Sequence, residues 1–295
     1  MRDEIKASKR WKIAYLVKVR EEASFYWARA KQGAETAGRD FNVDVAVFAP
    51  PKAQEDIAAQ IKAMDALIHQ GEVNGIIIAP VDTYRLAPVT EKAIAAGIPV
   101  IVHDTPLDAK GLLTFVVFDN VKAGRMLGQW VVGQLGGRGD VLILEGLMGH
   151  QNAIERRNGM LEGLRVGDIN VLGLQSGRWL RGEARRITRA WLRQFPRVDA
   201  ILAAGDDMAL GAAEVVAEAH REGIIITGFD GNRDALVAIG EGRLHATIDQ
   251  VPERLARLAV QLMVRHLETG ETFPQTLLWS DIQLITQDNI ARFLP

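Results

Sequence analysis

The chain has 295 residues, 48% of them apolar and 24% charged, a globular balance with length enough for about two domains. Its 35 basic and 37 acidic residues leave a formal net charge of −2, so nothing draws it to nucleic acid or an anionic membrane surface. The longest apolar runs, such as LLTFVVF at 112–118, are too short to span a bilayer, and the absence of cysteine removes disulfides, thiolate metal sites and cysteine nucleophiles together.

The start, MRDEIKASKRWKIAYLV, is charged and enters a strand-like run without the apolar core of a signal peptide. From there one pattern repeats: a short β-branched run, a turn, then a helical stretch. The predicted strands are 11–17, 43–48, 75–80, 99–104, 115–119, 140–146, 171–177, 200–205 and 224–231, with a further one at 244–250. Several are apolar at consecutive positions, as parallel strands covered on both faces should be. Amphipathic helices are predicted at 25–40, 53–71, 120–137 and 251–270, the last with Pro252 in its first turn. Such alternation implies right-handed crossovers and an α/β fold of doubly wound parallel sheets.

Nine strands are many for one sheet. The link after Asp104, TPLDAKGLLT, contains no helix and is read as the first passage between two lobes, with four βα units before it and five after. The lobes are predicted as 1–118 with 251–279 and 119–250 with 280–295, a ligand cleft lying between them. Three hinge crossings are expected near Phe118–Asp119, Gln250–Val251 and Trp279–Ser280, with TLLWSDIQLIT as a final strand-like segment.

Ligands in open α/β sheets bind beyond the carboxyl ends of strands. Those ends carry Phe25, Tyr26 and Trp27 after the first strand, Asp82 after the third, and His103, Asp104 and Thr105 after the fourth. The sixth leads to His150, Asn152, Arg156 and Arg157, the seventh to Trp179, the ninth to Asp230, and the last short one to Asp249 and Gln250. Planar groups such as carboxylate, amide and guanidinium engage pairs of hydroxyls, and an indole face suits the C–H face of a sugar ring. A small polyhydroxylated ligand fits this mixture.

Each residue also has an ordinary structural role to weigh. Trp27 and Trp179 are read as lining the cleft, whereas Trp11, Trp130, Trp191 and Trp279 are taken as packing residues. Asp119 reads as an N-cap; Asp206 in GDDMALG is both an N-cap and a ligand-contact candidate. Arg157 reads as a solvated helix charge, and His69, His220, His245 and His266 lack metal-ligand spacing. No metal site and no cofactor is expected.

Enzyme motifs are missing. GQLGGRG at 133–139 closes a helix, whereas a dinucleotide loop opens one, and no G-x-x-x-x-G-K-[ST], H-E-x-x-H or G-x-S-x-G occurs. Asp104, Asp230 and Arg156 could serve a glycosidase, but no scaffold signal accompanies them.

Four segments taken in order, GIPVIVHDT (97–105), GHQNAIERRNGM (149–160), GDDMALGAAEVV (205–216) and GFDGNRDALVAIGEGRLHATIDQ (228–250), carry a family likeness. The chain resembles the type I periplasmic binding proteins of the ribose and glucose/galactose group from about residue 11 to 290. The resemblance implies that Trp27 and Trp179 sandwich the ligand, that Asp104, Arg156, Asp230 and Gln250 bind hydroxyls, and that Tyr26, His150 and Asn152 lie beside them. Ser24, Ala79 and Gly205 stand where ribose binders use Asn, and Thr105 where they use Arg, which argues against ribose itself.

What it further implies is a monomeric receptor for a neutral sugar or polyol. That receptor feeds the membrane permease of an ABC importer, closes by hinge motion and does no catalysis. Its place would be periplasmic, with the leader absent from this chain. The same double lobe serves LacI-type repressors, but about ten residues before the first strand cannot hold a helix-turn-helix. A sensor ectodomain would look the same.

Overall fold

The computed structural model describes residues 4–20, 24–50 and 56–294. The chain opens with β1 (Lys12–Leu16), α1 (Phe25–Phe41), β2 (Asp44–Phe48), α2 (Ile57–Gln70), β3 (Gly75–Ile78), α3 (Ala87–Ala95), β4 (Val100–His103) and β5 (Thr114–Phe118). It continues with α4 (Asn120–Gln134), β6 (Arg138–Glu145), α5 (Gln151–Leu164), β7 (Asp168–Ser176), α6 (Arg181–Gln194), β8 (Ala200–Ala203), α7 (Asp206–Glu218), β9 (Ile225–Thr227), α8 (Arg233–Gly240) and β10 (Ala246–Asp249). The tail adds α9 (Pro252–Thr269), β11 (Thr276–Trp279) and β12 (Gln283–Thr286).

These elements form two compact units, Met1–Phe118 with Val251–Trp279, and Asp119–Gln250 with Ser280–Pro295. The first holds a six-stranded sheet of order β11-β5-β4-β3-β1-β2, parallel throughout. The second holds a sheet of order β12-β10-β9-β8-β6-β7, parallel except that β12 runs antiparallel to β10. Two expectations need correction. The helix-free link after Asp104 is not a passage between units, because β5 lies parallel beside β4 in the first sheet. The tail segment 276–286 is two strands, one in each sheet, and the second breaks the expected all-parallel pattern.

Central strands β3, β4, β8 and β10 are buried at every position, as sheets covered on both faces require. Three helices, α1, α2 and α4, begin where a side chain accepts one of the first free N–H groups: Ser24 from Trp27, Asp56 from Ala59 and Asp119 from Lys122. Residues 53–55, where the second helix was expected to begin, lie outside the described residues. Close helix pairing fixes the site-bearing α5. A Cβ on Gly124, Gly128, Gly159 or Gly163 would come within 2.3–2.6 Å of the backbone of the facing helix, so α4 and α5 touch main chain to main chain. No helix among the described residues is long and apolar enough to cross a membrane.

Candidate functional site

In the first unit, the strand ends gather a buried ion pair. The Lys18 ammonium donates to Asp104 Oδ2 at 2.6 Å, with side chains only 5% and 8% exposed. It also bonds Thr105 Oγ1, which donates to Asp104 Oδ2 at 2.9 Å, while the Tyr26 hydroxyl reaches Asp104 Oδ1 at 3.3 Å. Burial works against the charged Asp104 carboxyl. The Lys18 ammonium outweighs it, with His103 and Thr105 helping, and holds the pKa at about 2. Trp27 packs edge-on against Tyr26 (4.9 Å between ring centroids) and against His103 (6.2 Å). Trp27 also walls an open cavity of about 310 Å³ with Val17, Val19, Arg20, Lys31, Val47 and Ala49.

Behind this pair, Tyr15 Oη lies 2.8 Å from His103 Nδ1. Burial pushes the Tyr15 hydroxyl well above its ordinary value and pulls His103 down to about 4. The tyrosine therefore keeps its proton and donates it to a neutral imidazole, and His103 Nε2 is left buried without a partner among the described residues. Asp82 acts locally, its carboxylate accepting the N–H groups of Tyr84 and Arg85 and so closing the turn after β3.

In the second unit the cluster is built around Arg156, which is 3% exposed. Its Nε donates to Asn120 Oδ1 at 2.9 Å, and its Nη1 to the Ala204 carbonyl at 2.8 Å and to Asp230 Oδ1 at 3.1 Å. The guanidinium lies 3.9 Å over the Phe229 ring and 5.5 Å from the Trp179 ring. Gln250 Nε2 donates to the same Asp230 Oδ1 at 2.6 Å. Burial raises the Asp230 carboxyl to about 6 despite Arg156 and Gln250. Trp179 Nε1 donates to His150 Nδ1 at 3.3 Å, and its ring lies on Gly146, where a Cβ would come within 2.1 Å of it. Asn152 Oδ1 is buried with no partner among the described residues.

Backbone strain marks the same places. Asp104 (φ 68°), Trp179 (φ 64°) and Asp230 (φ 115°) all sit at positive φ without being glycine. Such residues concentrate where a chain must aim a side chain at a ligand.

The structure thus groups Tyr26, Trp27 and Asp104 in one unit and His150, Asn152, Arg156, Trp179, Asp230 and Gln250 in the other. Asp206 stands apart from this pattern. It is the first residue of α7 and does not cap it; Gly205 holds that position. Its buried carboxylate accepts from Thr247 Oγ1 and from the Asn232 N–H, both at 2.7 Å, and so pins the loop that follows Asp230. Arg157 is no solvated charge either, for it pairs with the mostly buried Glu145 at 3.2 Å. Lys18, Asn120 and Glu145 carry no motif that marks them in the sequence as site residues. Lys18 follows a strand buried on both faces from Ile13 to Leu16, so alternation along β1 does not single it out, although it is only 4% exposed. Among the described residues no group of three or more His, Cys, Asp or Glu could hold a metal.

Residues 13–272 match the model of the periplasmic binding protein domain. The chain is 33% identical over 273 residues to a xylitol-binding protein of Mycolicibacterium smegmatis, covering 91% of this chain and 76% of that one. It is 31% identical over 236 residues to the ribose import binding protein of Bacillus subtilis, covering 80% and 75%. A solute-binding protein of an ABC transporter from Actinobacillus succinogenes, solved with D-allose bound, superposes with a TM-score of 0.89 at 28% identity, over 96% of this chain and all of that one. All of these are solute-binding proteins, and the family is one of binding proteins rather than of enzymes. The chain belongs to the periplasmic binding protein family, in its type I, ribose-like group.

Proposed function

We propose that the protein is a receptor for a neutral sugar or polyol and delivers it to the permease of an ABC importer on the outer side of the membrane. The observation that supports this best is the charge balance of the two clusters. Each unit sets one carboxylate against one cation, Asp104 with Lys18 and Asp230 with Arg156, so neither offers the surplus positive charge that a phosphate or sugar acid needs. Indoles beside both pairs suit the apolar face of a carbohydrate. The relatives named for xylitol, ribose import and allose point to the same ligand class.

Both clusters take the same ligand molecule, and hinge closure follows its binding. A thermal-shift panel of pentoses, hexoses, polyols and their phosphates tests this. A neutral member at a hundred times its dissociation constant should stabilise the folded protein by about 2.7 kcal/mol. Asp104→Asn and Asp230→Asn should each weaken the same compound. Stabilisation by a sugar phosphate alone would overturn the proposal.

A further inference from the structure

Three helices of the first unit end on one cavity. It opens at the amino ends of β1, β3 and β4, the edge of the sheet opposite Asp104, and has a volume of about 480 Å³. Helix α2 contributes Ile68 and its cap Gly71, α3 its cap Ala96, and α9 His266 and Leu267 of its last turn. The last carbonyls of a helix have no partner within it, and its C-terminus carries partial negative charge. A Cβ on Gly71 or on Gly97, which also lines the cavity, would meet no atom within 4 Å, so both border open space.

The side chains carry the same preference. His266 Nδ1 lies 2.9 Å from the Glu271 carbonyl oxygen, which can only accept, so the ring proton sits on Nδ1 and Nε2 offers a lone pair. Burial lowers the pKa of this imidazole and keeps it neutral at pH 7. Glu268 accepts from the Trp11 indole N–H and from Ser8 through Oε1 alone, and no described residue donates to its Oε2. The Trp11 ring, part of the wall, already draws a cation, with Lys9 Nζ 3.8 Å from its centroid. Asn74 turns its Oδ1 to the Lys12 N–H and supplies an amide donor, while the Lys12 ammonium pairs with Glu72 at 3.2 Å. Val73, Ile98 and Leu267 keep the rest of the wall apolar. Acceptors predominate around an apolar hollow.

We propose that this cavity is a second ligand site and takes a small primary ammonium carried on an apolar body. The ammonium brings three donors to the His266 lone pair, the Glu268 carboxylate and the helix carbonyls, and the body lies on Trp11, Ile98 and Leu267. Titration calorimetry on the whole protein with phenethylammonium, phenethyl alcohol and phenylacetate tests it, since the probes share a shape and differ in charge. The ammonium should bind about tenfold tighter than the alcohol, the scale of a hydrogen bond to a charged group, and the acid should bind weakest. His266→Phe keeps a ring and removes the lone pair, and it should cost the ammonium about tenfold. Glu268→Gln keeps an acceptor for Trp11 and removes the charge, so it should cost the ammonium more than the alcohol. In NMR spectra of the nitrogen-labelled protein, the Trp11 indole N–H, assigned by its loss in Trp11→Phe, should shift during the titration. Should His266→Phe not fold, Glu268→Gln and the indole signal decide. An alcohol that binds as tightly, no binding of the ammonium at millimolar concentration, full affinity in either folded variant, or shifts confined to other indoles overturns the proposal.

Discussion

Both units present a carboxylate on positive-φ backbone beside a cation, yet they hold it in opposite ways. Asp104 is clasped by an ammonium and two hydroxyls, and against burial Lys18, with His103 and Thr105, keeps its pKa at about 2. Asp230 shares a single oxygen between Arg156 and Gln250, and burial lifts it to about 6. Beyond burial, the neighbours differ: His103 and Thr105 support the charge on Asp104, whereas Asp207 repels that on Asp230, and the two cations spend their donors differently. Lys18 points its ammonium at Asp104 and Thr105, whereas Arg156 divides its donors among Asn120, the Ala204 carbonyl and Asp230. A cation shared with the scaffold holds its loop firmly and its carboxylate weakly.

Removing each cation breaks the comparison most sharply. Arg156→Met should lower unfolding stability by about 3–5 kcal/mol, the range for stranding one partner of a buried pair. Lys18→Met should cost less, because Thr105 and Tyr26 still donate to Asp104. Urea denaturation of both variants measures this, and a larger loss for Lys18→Met would reverse the ranking. Next in size, Asp230→Asn should weaken ligand binding by about 1.5–3 kcal/mol, the worth of a hydrogen bond to a charged group. Calorimetry showing no loss would remove Asp230 from the site.

Binding and stability should also respond to pH with opposite signs. Ligand affinity should rise as pH increases through about 6, where Asp230 ionises, and Asp230→Asn should flatten that rise while Asp104→Asn should not. For folding, the raised Asp230 favours the protonated native state. Its contribution is fully present below the unfolded value near 4 and is lost as pH rises through 6. The depressed Asp104 contributes above about 4, and that contribution is lost as pH falls toward 2. Denaturation midpoints of the two Asn variants between pH 3 and 7 should therefore diverge from the parent in opposite directions. The smallest effect concerns the indoles: Trp179→Phe should cost about 0.5–1.5 kcal/mol of binding and remove most of any ligand-induced fluorescence change. A full signal from Trp27 alone would assign the optical report to the first unit.

The alternating architecture was legible in the sequence because strand and helix periods and cap residues are local. Asp104, Asp230 and Trp179 were visible for the same reason, since each lies within three residues of a strand's carboxyl end. What the sequence hid is long-range pairing. Lys18 sits among Arg20, Glu21 and Glu22 in a stretch that reads as solvated, and only a partner 86 positions away buries it. Asp206 opens a helix and reads as its cap, but its partners come from far along the chain, Asn232 from the loop before α8 and Thr247 from β10. The link after Asp104 misled for a related reason: β4 and β5 are adjacent parallel strands joined without a helix, which the alternation rule does not anticipate.

The split tail has a consequence for how the chain is made. β11 is an edge strand of the first sheet and β12 an edge strand of the second, and both lie within the last twenty residues. Until they are synthesised, β5 and β10 each present a bare row of backbone donors and acceptors. Neither sheet gains its outermost strand on that side until this one tail segment is made. A chain cut after Gln275 is therefore expected to fail in both units together, giving a broadened unfolding transition and aggregation, whereas a unit complete in itself would have kept its own cooperative melt.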